Sequence, residues 1–194
     1  MTANKQRNKG TLILCQAALI AAITFVSFLI GIPIPGSLTG TKIYFGNAFV
    51  VIGALLIGGP WGGLSGAVGL TLADLLNGYV TSAPKTFVLK LIIGLVAGLV
   101  SQNFMHIREK GPESQRRIAL VSSLVSLGLN AVLDPIAGYF YKTYLLGIPQ
   151  VPAEALAKIS SVASVANAAI CILIVTIFWP LLQRGMKKGN LLSW

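Results

Sequence analysis

Apolar residues in this chain fall in long, nearly unbroken runs. They do not alternate, and they do not form half-apolar stripes. A helix needs about 20 such residues to cross a hydrocarbon core, and six segments approach that length. The first covers roughly 11–32 and stops at Gly31, Pro33 and Pro35. The second, roughly 46–58, is short and ends at Gly58-Gly59-Pro60, although residues 43–45 can lengthen it. The third, roughly 61–77, is glycine-rich and ends at Asn77-Gly78. The fourth covers roughly 84–105, the fifth roughly 117–141 and the sixth roughly 155–183. The pattern predicts an all-α integral membrane protein with six transmembrane helices in one membrane domain, 1–194.

Composition supports that class. Of 194 residues, 55% are hydrophobic and 10% are charged, with a mean hydropathy of +0.79, whereas a soluble domain carries about a quarter charged residues. The net charge of +10 is one mark of nucleic-acid binding. Here, however, the basic residues flank apolar runs, as the positive-inside rule requires, and nucleic acid is excluded as a partner. The first run is longer than a signal-peptide core and lacks a cleavage motif, so it reads as a retained span. Cys15 and Cys171 sit in apolar sequence as packing residues. His106 is the single histidine, and no metal site is expected.

Charge then sets topology. Three clusters, Lys5/Arg7/Lys9, Arg108/Lys110/Arg116/Arg117 and Arg184/Lys187/Lys188, hold ten of the fifteen Lys and Arg residues. Placing all three on the cytoplasmic side requires an even number of crossings between them. Six crossings satisfy this, with both termini cytoplasmic. Loops 33–45, 78–84 and 142–154 then lie outside. These loops concentrate proline and glycine (Pro33, Pro35, Gly36, Gly40, Gly78, Pro84, Gly147, Pro149, Pro152) and suit shaped turns. Tyr44, Tyr79, Tyr139, Tyr141 and Tyr144 gather near the same face, either as an interfacial belt or as a lid over a pocket.

Small and polar residues inside the runs are the candidate chemistry. Ala17/Ala21 and Ala18/Ala22 are two i,i+4 pairs that allow close helix approach, within this chain or to a partner. Gly62, Gly63, Gly66 and Gly69 suit internal packing. Asp74 and Lys90 are intramembrane charges, which usually pair or face a wet cavity. The short loop between their helices predicts an Asp74–Lys90 ion pair. Lys85 lies nearer the surface and can snorkel. Asn130 and Asp134 share one helical face with Tyr141, and Pro135 frees a carbonyl there. Asn167, with Ser160, Ser161 and Ser164, and Asn47 at the start of the second span complete an outer polar set. The set suits a small polar ligand, not an ion path. There is no catalytic motif and no inverted repeat.

These residues resemble the substrate-binding S components of energy-coupling factor (ECF) vitamin transporters. The resemblance covers nearly the whole chain. It is carried by the alanine pairs, the stretch Gly46–Gly98, Asp74-Leu75-Leu76, Gly78-Tyr79, Ala83-Pro84-x-Thr86-Phe87 and Lys90. It implies an S-component-like bundle in a bacterial cytoplasmic membrane that binds a vitamin and is not itself an enzyme. It also implies docking through Ala17, Ala18, Ala21 or Ala22 onto a membrane scaffold (T component). Two cytoplasmic ATPases drive that scaffold, so ATP and magnesium belong to the partners. The substrate-binding residues expected are Asn47, Tyr79, Lys85, Lys90, Asn130, Asp134, Tyr141 and Asn167. The riboflavin/pantothenate/pyridoxine/hydroxymethylpyrimidine branch fits best, with pyridoxine or hydroxymethylpyrimidine preferred and pantothenate the alternative if Lys90 is free of Asp74. A self-sufficient secondary transporter or channel is the competing class.

Overall fold

A computed structural model describes residues 2–34 and 41–188, with side chains over 10–34, 41–149 and 152–185. Pro35, Gly36, Gly40 and the side chains of Lys5, Arg7, Lys9, Lys187 and Lys188 lie outside the described residues. Six helices follow one another: α1 (Thr2–Leu29), α2 (Gly46–Ile57), α3 (Gly59–Leu76), α4 (Ala83–Gly98), α5 (Pro112–Phe140) and α6 (Gln150–Lys188). α4 and α5 each run on into a wider π-helical turn, Leu99–Phe104 and Tyr141–Leu145.

The all-α expectation holds, and one short hairpin interrupts the helices. α1 ends at Leu29, and residues 32–33 leave the helix as β1 (Ile32–Pro33), which pairs antiparallel with β2 (Lys42–Ile43). The cause is local. Pro33 and Pro35 cannot continue a helix, and β-branched Ile32 and Ile43 favour extended backbone.

Among the described residues, four segments are long and apolar enough to cross a membrane: Gly10–Leu29, Val80–Phe104, Pro112–Leu145 and Pro152–Gly185. α2 is different. Its 12 residues extend only about 18 Å, and it contacts all five other helices. Ala48, Val50, Val51, Ala54 and Leu55 are fully buried there. It stops because Gly58 takes φ +99°, a conformation that L side chains rarely adopt, which turns the chain straight into α3.

α5 shows the inverted pattern of a bundle in lipid. Val121, Leu124, Val125, Leu129, Val132 and Ile136 are exposed, while Ser122, Ser123, Ser126 and Asn130 are buried. Glycines bring α3 against its neighbours backbone to backbone. A Cβ on Gly94 would overlap Gly63, one on Gly98 would overlap Gly59, and one on Gly62 would overlap the Gly53–Ala54 backbone. Gly69 lets the Ala21 carbonyl and Thr24 of α1 reach α3.

The loop before α5 and the end of α6 meet at one end. Gln183 of α6 donates to Gln115 of α5, and Gln115 donates to the Lys110 carbonyl. Gln102 of the α4 extension donates to the Ala54 carbonyl at 3.0 Å, so the α2–α3 turn lies at that end too. The β1–β2 hairpin, the turn Val80–Ser82 and the Tyr141–Leu145 turn occupy the opposite end.

Candidate functional site

Every helix contributes to a cavity at the hairpin end. The space open to the centre of a water-sized sphere is about 80 Å³, room for several waters. α1 brings Phe28, the loop after β2 brings Tyr44, and α2 opens with Asn47. α3 supplies Asp74 from its last turn. α4 supplies Lys85, Thr86 and Lys90; Thr86 and Lys90 stand one turn apart on one face, and Lys85 flanks them. α5 supplies Asn130 and Asp134, and α6 supplies Ser160, Ser164 and Asn167.

Two polar cross-links brace the walls. Lys85 pairs with Asp134 at 2.8 Å, and Ser164 donates to the other Asp134 oxygen at 2.5 Å. One carboxylate thus ties α4, α5 and α6 together. On the other side Asp74 accepts from Thr86 at 2.5 Å, joining α3 to α4. The predicted Asp74–Lys90 ion pair is not formed. Thr86 stands one turn nearer to Asp74 on the same face and takes the carboxylate, so Lys90 points past it. Its ammonium lies 5.8 Å from the Tyr44 ring centroid. Lys85, expected to snorkel, is held instead by Asp134 and is only 17% exposed in its side chain.

Asn167 also departs from expectation. Its Oδ1 accepts the Tyr44 N–H at 2.9 Å and its Nδ2 donates to the Lys42 carbonyl at 3.0 Å. The amide substitutes for a neighbouring strand and latches β2 onto α6, with one of its two N–H groups and one lone pair of its oxygen engaged. Asn47 and Asn130 are the opposite case. Each carbonyl oxygen is buried without a hydrogen-bond partner, although such atoms are rarely left unpaired. Those two oxygens are acceptors without donors.

Of the eight expected binding residues, seven line the cavity; Tyr79 does not. Tyr79 stands behind the wall, edge-on to Phe28 with centroids 6.2 Å apart. The tyrosines divide between the two earlier alternatives. Tyr44 and Tyr141 face the cavity, whereas Tyr144 is 73% exposed and stacks on Phe140 at the bundle surface. Lys42 and Lys142 were not singled out from sequence, yet both line the cavity. A signal was available. Five of the fifteen Lys and Arg residues fall outside the three clusters (Lys42, Lys85, Lys90, Lys142 and Lys158), and the first four face the cavity.

The alanine pairs on α1 separate. Ala17 is buried with Ile20 and Ile57, and the Ala21 carbonyl abuts Gly69. Ala18 and Ala22 are exposed. The 17/21 face is internal, so only the 18/22 face remains open to a partner.

A family model for the ECF-type riboflavin transporter S component matches residues 9–184. An uncharacterized protein encoded in the gap 3′ region of Pyrococcus woesei is 32% identical over 125 residues, covering 64% of this chain and 73% of that protein. Among solved structures, ThiT from Listeria monocytogenes aligns with a TM-score of 0.61 at 18% identity, over 93% of this chain and 97% of ThiT. The S component of a bacterial ECF transporter aligns with a TM-score of 0.58 at 16% identity, over 92% of this chain and 96% of that one. At these identities the structural likeness is one of fold.

Proposed function

We propose a function from one premise: the chain belongs to the family of ECF-type riboflavin transporter S components. Members of that family are membrane-embedded transport subunits, not enzymes. On our reading this chain is the substrate-specificity subunit of an ATP-driven importer. It captures a small water-soluble vitamin or precursor in the cavity at its hairpin end; pyridoxine, hydroxymethylpyrimidine and pantothenate are the candidates from sequence. The observation that carries the reading is the pair of orphaned acceptors, Asn47 Oδ1 and Asn130 Oδ1, inside a cavity walled by all six helices. A buried polar group without a partner is costly, and a ligand with donors relieves that cost.

In this reading the whole chain, 1–194, is one membrane domain crossing six times. Both termini and the loop 106–117 face the cytoplasm, and the cavity opens outside. The grouping of Arg116 and Arg184 around one surface hollow, at the end opposite the cavity, supports that orientation. The exposed Ala18/Ala22 face docks on a T component that two cytoplasmic ATPases drive, and ATP and magnesium are bound there. Asn47, Lys90, Asn130 and Tyr141 contact the ligand, while Lys85, Asp134 and Asn167 hold the walls. Affinity purification of the chain from its native membrane tests the reading. A scaffold and two ATPases are expected to co-purify, and the double variant Ala18→Trp/Ala22→Trp is expected to lose them while still binding ligand. Intact assembly and uptake in that variant would remove the docking face.

A further inference from the structure

We propose that the ligand of this cavity is an anion: a small organic acid, as carboxylate or phosphate ester, that also carries hydroxyl or amide N–H donors. The proposal rests on the vitamin-binding reading above and names the class of vitamin.

Charge carries the argument. Lys42, Lys85, Lys90 and Lys142 line the cavity, and Asp74 and Asp134 are its acidic residues, a surplus of two positive charges. Only Asp134 is committed to a cation. Asp134 holds Lys85 and Ser164, and Asp74 holds Thr86. Lys42 rests its ammonium on the face of Phe28, 4.3 Å from the ring centroid. Lys90 and Lys142 are 5% and 4% exposed, and neither forms an ion pair among the described residues. Asp74 and Asp134 lie within electrostatic reach of Lys90, and Asp134 of Lys142, yet two cations remain in excess, and an uncompensated intramembrane charge is costly and marks a functional site.

In the empty cavity, water can solvate those ammonium groups. A neutral ligand of vitamin size displaces that water and leaves two cations dry. An acid displaces the same water and supplies the counter-charge, which is where a buried charge pair discriminates most strongly. The orphaned carbonyls add the second requirement. Asn47 and Asn130 accept hydrogen bonds, so the same ligand must carry donors. Pyridoxine and hydroxymethylpyrimidine meet only the second demand. Preference for them held only while Asp74 was expected to neutralise Lys90, and that contact is not made.

Equilibrium titration of the purified full-length chain with matched acidic and neutral probes tests this. The pairs are pantothenate and panthenol, riboflavin 5′-phosphate and riboflavin, and pyridoxine 5′-phosphate and pyridoxine. The expected result is that the acid of at least one pair binds about 100-fold tighter than its neutral partner. The carboxylate and phosphate arms then say which anion the cavity takes. In the variant Lys90→Met, the acid is expected to lose more affinity than its neutral partner, so that the advantage shrinks. The proposal is overturned if a neutral member binds as tightly as its acid, or if no acid binds. A neutral binder leaves the vitamin-binding reading standing. Absence of any binding, together with absence of a co-purifying scaffold, removes both.

Discussion

The two ends of the α3–α4 pair are built on opposite principles. At the basic end the helix backbones come into direct contact, with Gly59 and Gly63 of α3 facing Gly98 and Gly94 of α4. At the hairpin end the same helices carry Asp74, Lys85, Thr86 and Lys90 and help to enclose a polar cavity. In lipid no hydrophobic drive holds helices together, so close van der Waals contact must do it. The glycine seam supplies that contact. The cavity end gives up packing and is braced by a few polar cross-links. Four tests grade the contrast.

The largest effect is expected at the seam. Gly94→Leu places a branched side chain where Gly63 already stands, and neither backbone can yield without parting the helices. A loss of about 3 kcal/mol or more is expected, read as failure to recover monodisperse protein from detergent or as a sharp fall in Tm. If Gly94→Leu folded with an unchanged Tm, the seam would not be holding the pair.

Next comes Asp134. Asp134→Asn removes the charge that binds Lys85 and leaves a third unpaired ammonium in the cavity. The groups are partly exposed, 17% and 20%, so the cost falls below that of a fully buried pair, at about 2 kcal/mol. The double variant Lys85→Met/Asp134→Leu should recover most of the loss, because the penalty lies in the widowed charge. Tm values for the two singles and the double, compared as a cycle, decide it. Strict additivity would mean that the cross-link carries no energy of its own.

How far the sequence could be read follows the same division. The seam end was legible because its determinants are local. Gly58-Gly59-Pro60 turns the chain, and glycines on one face of α3 announce close packing. The sorted cations also pointed to a shared end. The cavity end was legible in membership but not in partnership. Asn130 and Asp134 could be placed on one face, yet that Asp134 takes Lys85 rather than leaving it to snorkel depends on how α4 and α5 pack, across 49 residues. Asn167 reaches back 123 residues to the Tyr44 N–H. No spacing encodes that reach, so the latch role of Asn167 could not be read alongside its place in the cavity wall. Lys142 was missed because the fifth span was ended at 141, which put it in the outer loop, whereas the helix runs on as a π-helical turn to Leu145.

A smaller, local effect is expected from Asn167→Ala. It frees one N–H and one carbonyl of the β2 segment, about 1–2 kcal/mol of hydrogen bonding, without touching the seam. Hydrogen exchange at the Tyr44 amide is expected to accelerate while global Tm moves little. Unchanged protection at Tyr44 would show that the hairpin is held by something other than this amide.

The smallest effect sharpens the comparison most. Gly128 lies mid-way along α5, and a Cβ there meets nothing within 4 Å. In a helix interior, alanine is favoured over glycine by up to about 1 kcal/mol, so Gly128→Ala is expected to leave Tm unchanged or raise it slightly. Gly94→Ala adds the same single methyl group, and its expected sign is opposite because the added carbon lands on the Gly63 backbone. The pair holds chemistry and helix propensity constant and varies only what stands opposite. If both variants lost stability equally, glycine would matter here for backbone freedom. If only Gly94→Ala lost it, the close approach of α3 and α4 is what the glycines provide, and the cavity end is open because it lacks them.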